Sequence, residues 1–238
     1  MLNSAIKRAF ALAGLEVRRK SVTDARCEGF DKYLERATEA GMDVKDWIES
    51  SLKWGPALPI LELTLFPHLK PSDTVCEIGA GTGRHARHIL PKLDEGRLIV
   101  CDHSAWVRDF LSSYFAGQDR LIVVECSGHR VSVPDSSVDI VFSNGVFIEL
   151  KLGSVFAFAK EFSRIVKTNG FVIFDYIDPS TSEGWQFLTR EWLPYTCTYH
   201  CASTIARVME HFGFALERSH QSDLSTYATF RKQTSRTH

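Results

Sequence analysis

The chain has 238 residues, of which 44% are hydrophobic and 24% are charged, and its formal net charge is −1. This composition is that of a globular protein and excludes a disordered chain, a collagen-like fibre and a disulfide scaffold. The near balance of 28 basic and 29 acidic residues argues against a protein that binds nucleic acid through its phosphates, since such proteins normally carry a basic excess.

The N-terminal segment is the first predicted element. Residues 1–20 hold five basic residues and one acidic residue, and apolar residues recur at helical spacing from Leu2 to Val17. We expect a short basic amphipathic helix that covers part of the domain, with a membrane-surface anchor or an organellar transit peptide as alternatives. The apolar run from Ala9 to Leu15 is short for a signal peptide.

Cysteine usage bears on compartment and metal binding. The chain has six cysteines, and three of them, 25 residues apart, end apolar runs as small buried residues do. The cluster of Cys197, His200 and Cys201 matches no structural zinc pattern, so no metal is expected. A reduced, cytoplasmic protein is therefore the expectation, with membrane-surface contact through residues 1–20 as a variant of it.

Helices dominate the first third of the chain. Residues 30–53 keep helical spacing, and Gly41 and the potential cap Asp43 divide them into two helices. The apolar segment 60–69 is assigned to a third helix because Pro59 suits a first helical position. We interpret residues 1–69 as a helical extension or cap and residues 70–238 as the main domain.

Strands and helices alternate after residue 70. Strands are predicted at 73–79, 97–102, 120–126, 138–144 and 171–178, with helices at 85–93, after Ser104, and from Ser154 to Asn169-Gly170. Continuous apolar strands separated by helices indicate a parallel sheet buried on both faces, which is an α/β, doubly wound fold.

The rhythm stops after Asp178. Residues 179–200 show no clear period and are interpreted as an inserted loop or lid. A helix at 203–212 and two strands, at 213–219 and 225–232, are predicted to close the chain.

A glycine-rich loop joins the first strand to its helix. Gly79, Gly81 and Gly83 permit a tight turn and let a ligand approach bare backbone, beside the N–H groups of a helix N-terminus. Glu77 precedes the first glycine by two residues, and Asp102 ends the next strand, where its carboxylate can accept both hydroxyls of a ribose. An acid at Glu77 suits a cationic or amino-bearing ligand better than a pyrophosphate.

The loop also satisfies a dinucleotide pattern. Gly81, Gly83 and Ala86 fit G-x-G-x-x-A, so a nicotinamide-dependent oxidoreductase is an alternative that this pattern leaves open. The alternating G-x-G-x-G form and the flanking acids Glu77 and Asp102 favour the amino-bearing ligand.

Several motifs in order resemble one family. The sequence EIGAGTG at 77–83, the acid Asp102 and PDSSVDIVFSN at 134–144 are similar to the class I S-adenosylmethionine-dependent methyltransferases, in particular to type 11-like domains, over about residues 70–178. The resemblance implies a Rossmann-like sheet of seven strands, mostly parallel with an antiparallel last strand. It also implies S-adenosylmethionine as the cofactor.

The resemblance carries roles onto individual residues. The loop glycines would pack against the methionine part and ribose, Glu77 would order the loop and the cofactor's amino group, and Asp102 would hold the ribose hydroxyls. Ser127 stands where the family often has an acid that contacts the adenine amine, so that contact is expected to be weaker. The full cofactor-binding set is Glu77, Gly79, Ala80, Gly81, Gly83, Asp102, His103, Ser127, Gly128, Ser143 and Asn144.

Methyl transfer asks for alignment of donor and acceptor and for exclusion of water, and for a base only where the acceptor is a poor nucleophile such as an alcohol. Glu149, beyond the fourth strand, and Asp175, at the carboxyl edge of the fifth, are the predicted catalytic residues. Glu149 would serve as the base or orient the acceptor.

The acceptor is predicted from the lid. Residues 179–200 are aromatic and not basic, which favours a small organic or sugar acceptor, methylated at oxygen, over RNA. His200, with Tyr195 and Tyr199, is interpreted as part of a surface loop, with a wall of the acceptor site as the alternative. A cofactor-binding partner subunit without transfer activity is the alternative in a different functional class.

Overall fold

The computed structural model describes residues 33–51, 56–189, 197–222 and 225–234. The predicted amphipathic helix at 1–20 and the aromatic residues Trp192 and Tyr195 lie outside these ranges. Within them, every helix is too short or too polar to cross a bilayer.

An eight-stranded sheet runs through the described chain in the order β4-β3-β2-β1-β5-β6-β8-β7. The strands are β1 Thr74–Ile78, β2 Arg97–Asp102, β3 Leu121–Ser127, β4 Arg130–Val131, β5 Val138–Ser143, β6 Val166–Tyr176, β7 Phe214–Gln221 and β8 Thr226–Lys232. Strands β3, β2, β1, β5 and β6 are parallel, whereas β8 is antiparallel to both of its neighbours. The α/β fold with an antiparallel last strand is confirmed, and the two-residue β4 is an extra edge strand.

Helices cover both faces of the sheet. They are α1 33–39, α2 Val44–Ser51, α3 Ala57–Thr64, α4 Ala86–Ile89, α5 Ala105–Tyr114, α6 Leu152–Ile165, α7 Ser182–Leu188 and α8 Ala202–His211, with 3₁₀ turns at Leu90–Lys92 and Phe147–Glu149. Alternation along β1 divides the core, because Val75 packs with α3, α4 and α5 while Cys76 packs with α6 and α8. The sheet is therefore buried on both sides, as its continuous apolar strands predict.

The two helices predicted within 30–53 are confirmed as α1 and α2. Gly41 between them has φ +64°, and the Tyr114 hydroxyl of α5 donates to Asp43 Oδ2 at 2.8 Å. Ala37 and Val44 form a small apolar cluster with Trp47 and with residues of α5. The helices before residue 52 thus rest on the α5 side of the sheet.

Several predicted boundaries are wrong, among them the end of the third helix, which lies at Thr64 and not at residue 69. Helix α3 begins at Ala57, so Pro59 lies in its first turn, two residues after the first helical position. Helix α6 begins at Leu152, before Ser154, and it ends at Ile165. Asn169-Gly170 does not end it but lies inside β6, because Val166 already pairs with Val138 across a register shift.

The segment assigned to a loop contains a helix. Thr181 caps α7 by accepting a hydrogen bond from the Gly184 N–H at 3.0 Å, and Phe187 is buried. Aromatic and Ser/Thr residues at these positions hide the helical period, since only one face of a seven-residue helix packs. Helix α8 and strands β7 and β8 lie where the sequence predicts them.

Candidate functional site

A cleft of about 240 Å³ opens at the carboxyl ends of the parallel strands. Its lining residues come from the ends of β1, β2, β3 and the segment after β5: Ile78, Gly79, Cys101, Asp102, His103, Cys126, Gly128, His129, Gly145, Val146, Glu149, Leu150 and Phe158. In an open α/β sheet the crevice beyond the strand ends is the usual ligand site. Five predicted site residues meet here, namely Gly79, Asp102, His103, Gly128 and Glu149.

The first turn of the loop needs glycine for two reasons. Gly79 has φ +74°, and a Cβ there would lie 2.3 Å from Val146 Cγ2 on the opposite side of the cleft floor. Its N–H donates to the Cys101 carbonyl at 2.7 Å, which ties the loop to β2. The backbone at Gly79 is therefore both fixed and bare towards the cleft.

Gly83 needs glycine for packing at the other end of the loop. It has φ +74°, and an added Cβ would lie 2.6 Å from Phe115 Cε2. Ala80, between the two, is buried in the core on the α3–α5 face. The loop thus packs tightly against α5 below and faces the cleft above only through part of its backbone.

Asp102 is a nearly buried carboxylate in the cleft wall. Its Oδ1 accepts from the Ser104 N–H at 2.9 Å, and its Oδ2 faces the Gly81 N–H at 3.4 Å. Ser104 in turn caps α5 by accepting from the Val107 N–H, as predicted. His103 is more exposed, with its Nδ1 3.4 Å from Asp102 Oδ1. One carboxylate therefore fixes both the glycine loop and the start of α5.

The loop after β3 brings only part of its predicted residues to the cleft. Gly128 lines it, whereas Ser127 lines a neighbouring cavity beside Arg130 and Lys160. His129 lines both and packs edge-on against Phe158 at 5.1 Å between ring centroids. His129 was missed because nothing in the local sequence distinguishes it from an exposed loop residue.

Ser143 ends β5 and Asn144 follows it, and neither lines the cleft. Ser143 is fully buried, and its hydroxyl donates to the Ile78 carbonyl at 2.9 Å, so it joins β5 to β1. The Asn144 amide donates to Asp175 Oδ2 at 3.4 Å and to the Tyr227 hydroxyl. Both side chains therefore fix the start of the segment after β5, whose next residues, Gly145 and Val146, line the cleft.

Asp175 lies beneath that turn. Its Oδ1 accepts from the Gly145 N–H at 2.8 Å and its Oδ2 from the Ser225 hydroxyl at 3.2 Å. Burial raises the pKa of this carboxyl to about 6, against the lowering effect of the Gly145 hydrogen bond. Gly145 lines the cleft and Asp175 does not, so this carboxylate acts on the site through the backbone.

Glu149 ends the 3₁₀ turn Phe147–Glu149 and lines the cleft between Val146 and Leu150. The last residues of the lid segment 179–200 bind to this turn. Thr198 donates its N–H to the Ile148 carbonyl at 2.6 Å and its hydroxyl to the Leu150 carbonyl at 2.8 Å. The position of the turn therefore depends on hydrogen bonds from Thr198, which lies almost 50 residues away in the sequence.

His200 was interpreted as a surface-loop residue, with a wall of the acceptor site as the alternative. It is only 8% exposed, and its Nε2 lies 2.8 Å from the Leu150 carbonyl. A carbonyl only accepts, so Nε2 carries the proton of this bond. The interpretation as a surface residue is wrong, because the ring is buried against Leu150, which itself lines the cleft.

Glu77 sits below the loop, in β1, and is 1% exposed. Its Oε1 lies 3.3 Å from the Nδ1 of His85, a buried residue before α4 that the sequence did not single out. Among the described residues, neither Glu77 Oε2 nor His85 Nε2 has a hydrogen-bond partner. Buried polar atoms without a hydrogen-bond partner are costly, so we expect a ligand donor or a water to bind to this pair.

One family model matches the central part of the chain. The sequence model of a family described as "Methyltransferase domain" matches residues 75–170, which run from β1 into β6. A search of curated protein sequences returned no significant match.

Solved structures share the fold at low identity. An S-adenosylmethionine-dependent methyltransferase from Aquifex aeolicus superposes with a TM-score of 0.58 and 16% identity, over 74% of this chain and 88% of that one. A chain from the complex of the Haloferax volcanii Trm112 methyltransferase activator gives 0.63 and 17%, over 82% and 95%. The cyclase SpnF gives 0.60 and 12%, over 75% and 80%.

Four observations point to the same kind of domain. They are the glycine-loop motif, the carboxylate at Asp102, the strand order of the sheet and the family match over 75–170. Residues 75–170 therefore match a methyltransferase domain, and the sheet has the fold of S-adenosylmethionine-dependent methyltransferases, which supports S-adenosylmethionine as the cofactor.

Proposed function

We propose that this protein transfers a methyl group from S-adenosylmethionine to an oxygen of a small organic or sugar acceptor. The observation that carries the proposal is the lining of one cleft by Gly79 of the glycine loop, Asp102 of β2 and Glu149 of the turn after β5. Gly79 supplies backbone without a side chain, Asp102 supplies a carboxylate that can accept hydrogen bonds from a ribose, and Glu149 supplies a carboxylate that can take the acceptor's proton.

The cleft residues fit the cofactor. Gly79 lines the cleft and has no side chain, and Val146 already occupies the place that a Cβ would take, so the loop can present only backbone to a ligand here. Asp102 uses one lone pair of Oδ1 for the Ser104 N–H, so further lone pairs are open to the two ribose hydroxyls. His103 and Gly128 line the same cleft and would flank the adenine. Among the predicted set, Ser127 and Ser143 would contribute only through the backbone around them.

The bound cofactor supplies an electrophilic methyl group on a positively charged sulfur. The chain's own residues align the acceptor, exclude water and deal with the acceptor's proton. Glu149 is the side chain that we assign to the proton, because an alcohol needs a base and this carboxylate lines the cleft. Asp175 is a positioning residue that holds Asn144 and Gly145.

The acceptor class rests on the lid. Helix α7 has no basic residue, and its Trp185 is 57% exposed beside the buried Phe187. An exposed indole suits stacking on the apolar face of a sugar or small organic ring, whereas a nucleic acid would call for interleaved Lys and Arg. The absence of basic residues in α7 supports a small-molecule acceptor.

A cofactor-binding protein without transfer activity is the second candidate. The likeness to the cyclase SpnF and to a chain complexed with a methyltransferase activator favours keeping it, because one fold hosts several activities. The two candidates agree on cofactor binding and differ on what Glu149 does.

Turnover with radiolabelled S-adenosylmethionine and a panel of sugar and phenolic acceptors tests the proposal. We expect Glu149→Gln to lower kcat by about 10²-fold or more, the usual contribution of a general base, while S-adenosylhomocysteine binds as in wild type. The control is Glu95→Gln, an exposed glutamate in the turn before β2, on the edge of the sheet away from the cleft.

Three results separate the candidates. Binding of S-adenosylhomocysteine without any methyl transfer supports the partner subunit. Transfer that is insensitive to Glu149→Gln removes the assignment of the base. No binding of S-adenosylhomocysteine contradicts both candidates.

A further inference from the structure

The return of the chain from the lid is joined to the wall of the cleft. Ile177 and Tyr199 form a β-bridge, and the Ala202 N–H donates to Asp178 Oδ2 at 2.9 Å. Both ends of the lid segment are therefore fixed at one place, immediately after β6 and immediately before α8. The 3₁₀ turn Phe147–Glu149 packs against that place.

A small apolar cluster connects the same parts. Ile148 of the turn, Ile177 after β6 and Phe187 of α7 are each less than 5% exposed and pack together, with Tyr199 beside them. The cluster is separate from the two main cores of the sheet. Helix α7 thus packs directly against the turn that carries Glu149.

Polar contacts fix the position of the turn more narrowly than packing does. The Ile148 carbonyl accepts from the Thr198 N–H at 2.6 Å. The Leu150 carbonyl accepts from two side chains, the Thr198 hydroxyl at 2.8 Å and His200 Nε2 at 2.8 Å. The Thr198 hydroxyl also lies 3.2 Å from the Ile148 carbonyl oxygen, so the residues on either side of Glu149 are held by Thr198 and His200 together.

These bonds leave little freedom to Glu149. A carbonyl has two acceptor lone pairs, so the Leu150 oxygen is fully used by Thr198 and His200. The backbone at Glu149 cannot leave the cleft wall without breaking these hydrogen bonds.

We infer that Thr198 and His200 are positioning residues for methyl transfer, which set the place of Glu149 in the cleft and couple it to the lid. The inference rests on the proposed function, because it needs Glu149 as the group that handles the acceptor proton. The inference predicts that Thr198 and His200 affect the rate of methyl transfer and not the affinity for the cofactor.

Paired variants test the hydroxyl and the ring. Thr198→Val keeps the shape and the N–H but removes the hydroxyl, whereas Thr198→Ser keeps the hydroxyl. His200→Leu removes the ring donor, and His200→Gln retains an N–H near the position of Nε2. Thr64→Val is the matched control, because Thr64 is fully buried in α3 and its hydroxyl donates to the Ile60 carbonyl at 2.7 Å.

We expect Thr198→Val and His200→Leu to lower kcat about tenfold or more, since small misplacement of a reacting group is costly, with the Kd for S-adenosylhomocysteine within twofold of wild type. Thr198→Ser, His200→Gln and Thr64→Val should stay close to wild type. In a Glu149→Gln background, Thr198→Val should lower kcat by less than twofold further, because the residue through which it acts is gone.

Hydrogen exchange gives a readout that does not need activity. The amides of Glu149 and Leu150, which donate to Val146 and Phe147, should exchange faster in Thr198→Val than in wild type or Thr64→Val. Unchanged exchange, unchanged kcat, or equal loss of kcat with and without Glu149 would each overturn the inference. Failure of wild type to transfer methyl groups would instead overturn the proposed function, and the exchange result would still show whether the two residues hold the turn.

Discussion

Asp175 shows how one buried carboxylate shapes the site without lining it. It is 3% exposed and accepts hydrogen bonds from the Gly145 N–H and the Ser225 hydroxyl. These donors only partly replace the water that the charged form loses, so its pKa rises to about 6 from an ordinary value of 3.8. The native state therefore keeps a proton that the unfolded state releases.

This difference predicts the pH dependence of stability. Between pH 3.8 and about 6 the folded protein binds more protons at Asp175 than the unfolded chain, so its contribution falls as pH rises through this window. The full effect is on the order of 3 kcal/mol. We expect the free energy of unfolding of wild type minus that of Asp175→Asn to decrease from pH 4 to pH 7 in urea titrations. A difference that is flat across this range would show that Asp175 is ionised throughout.

Residue identities at the site were predictable where a motif fixes them. Glu77, Gly79 and Asp102 could be found because the strand, turn and helix that surround them leave one arrangement. His85 and His129 could not, since their roles depend on which ring from another element packs against them, Phe142 for the first and Phe158 for the second. No local signal reports such a contact.

At the scale of elements, the junction of α6 and β6 shows what periodicity misses. Asn-Gly is a common signal for the end of a helix, and the sequence placed the end of α6 there. Pairing of Val166 with Val138 begins the strand earlier, so Asn169, with φ +66°, becomes part of an irregularity within β6. Cross-strand pairing outweighed the local turn signal, and only the sheet reveals it.

Gly170 in this irregularity gives a prediction with an internal control. A Cβ there would lie 2.6 Å from the Asp139 carbonyl oxygen and 3.0 Å from that of Lys167, so Gly170→Ala should destabilise the protein by about 1–3 kcal/mol. Gly153, in α6, has open space around the same position, and Gly153→Ala should stabilise by about 0.4–1 kcal/mol. Chemical denaturation measures both. Changes of the same sign would contradict the packing described at Gly170.

At the scale of the whole molecule, the parallel order of the sheet creates the cleft. Gly79, Asp102, Gly128 and Gly145 are far apart in sequence, yet each follows or ends a strand whose carboxyl end points to the same edge. This convergence was predictable from the alternation of strands and helices. The contacts that return from the lid to the turn at Glu149 were not, because they join segments with no shared period or motif.

Convergence on one edge also predicts how the molecule responds to ligands. A nucleoside in the cleft touches the loops after β1, β2, β3 and β5 together, so binding opposes separation of the central strands. At a concentration 100 times Kd, a ligand that binds only the folded state stabilises it by about 2.7 kcal/mol. For a protein of this size that corresponds to a rise in Tm of about 5–10 °C.

We expect a rise of this size with S-adenosylhomocysteine and none with NADH or NADPH in a thermal-shift series. Asp102→Ala should weaken the binding of S-adenosylhomocysteine by roughly 1–3 kcal/mol, because the ribose loses its charged hydrogen-bond acceptor. The ligand-induced rise in Tm should fall accordingly. The variant also loses the acceptor of the Ser104 N–H, so its own Tm without ligand is the reference. A rise in Tm with NADPH that is lost in Asp102→Ala would contradict the assignment to S-adenosylmethionine. It would show that the protein binds a nicotinamide cofactor at the same edge of the sheet.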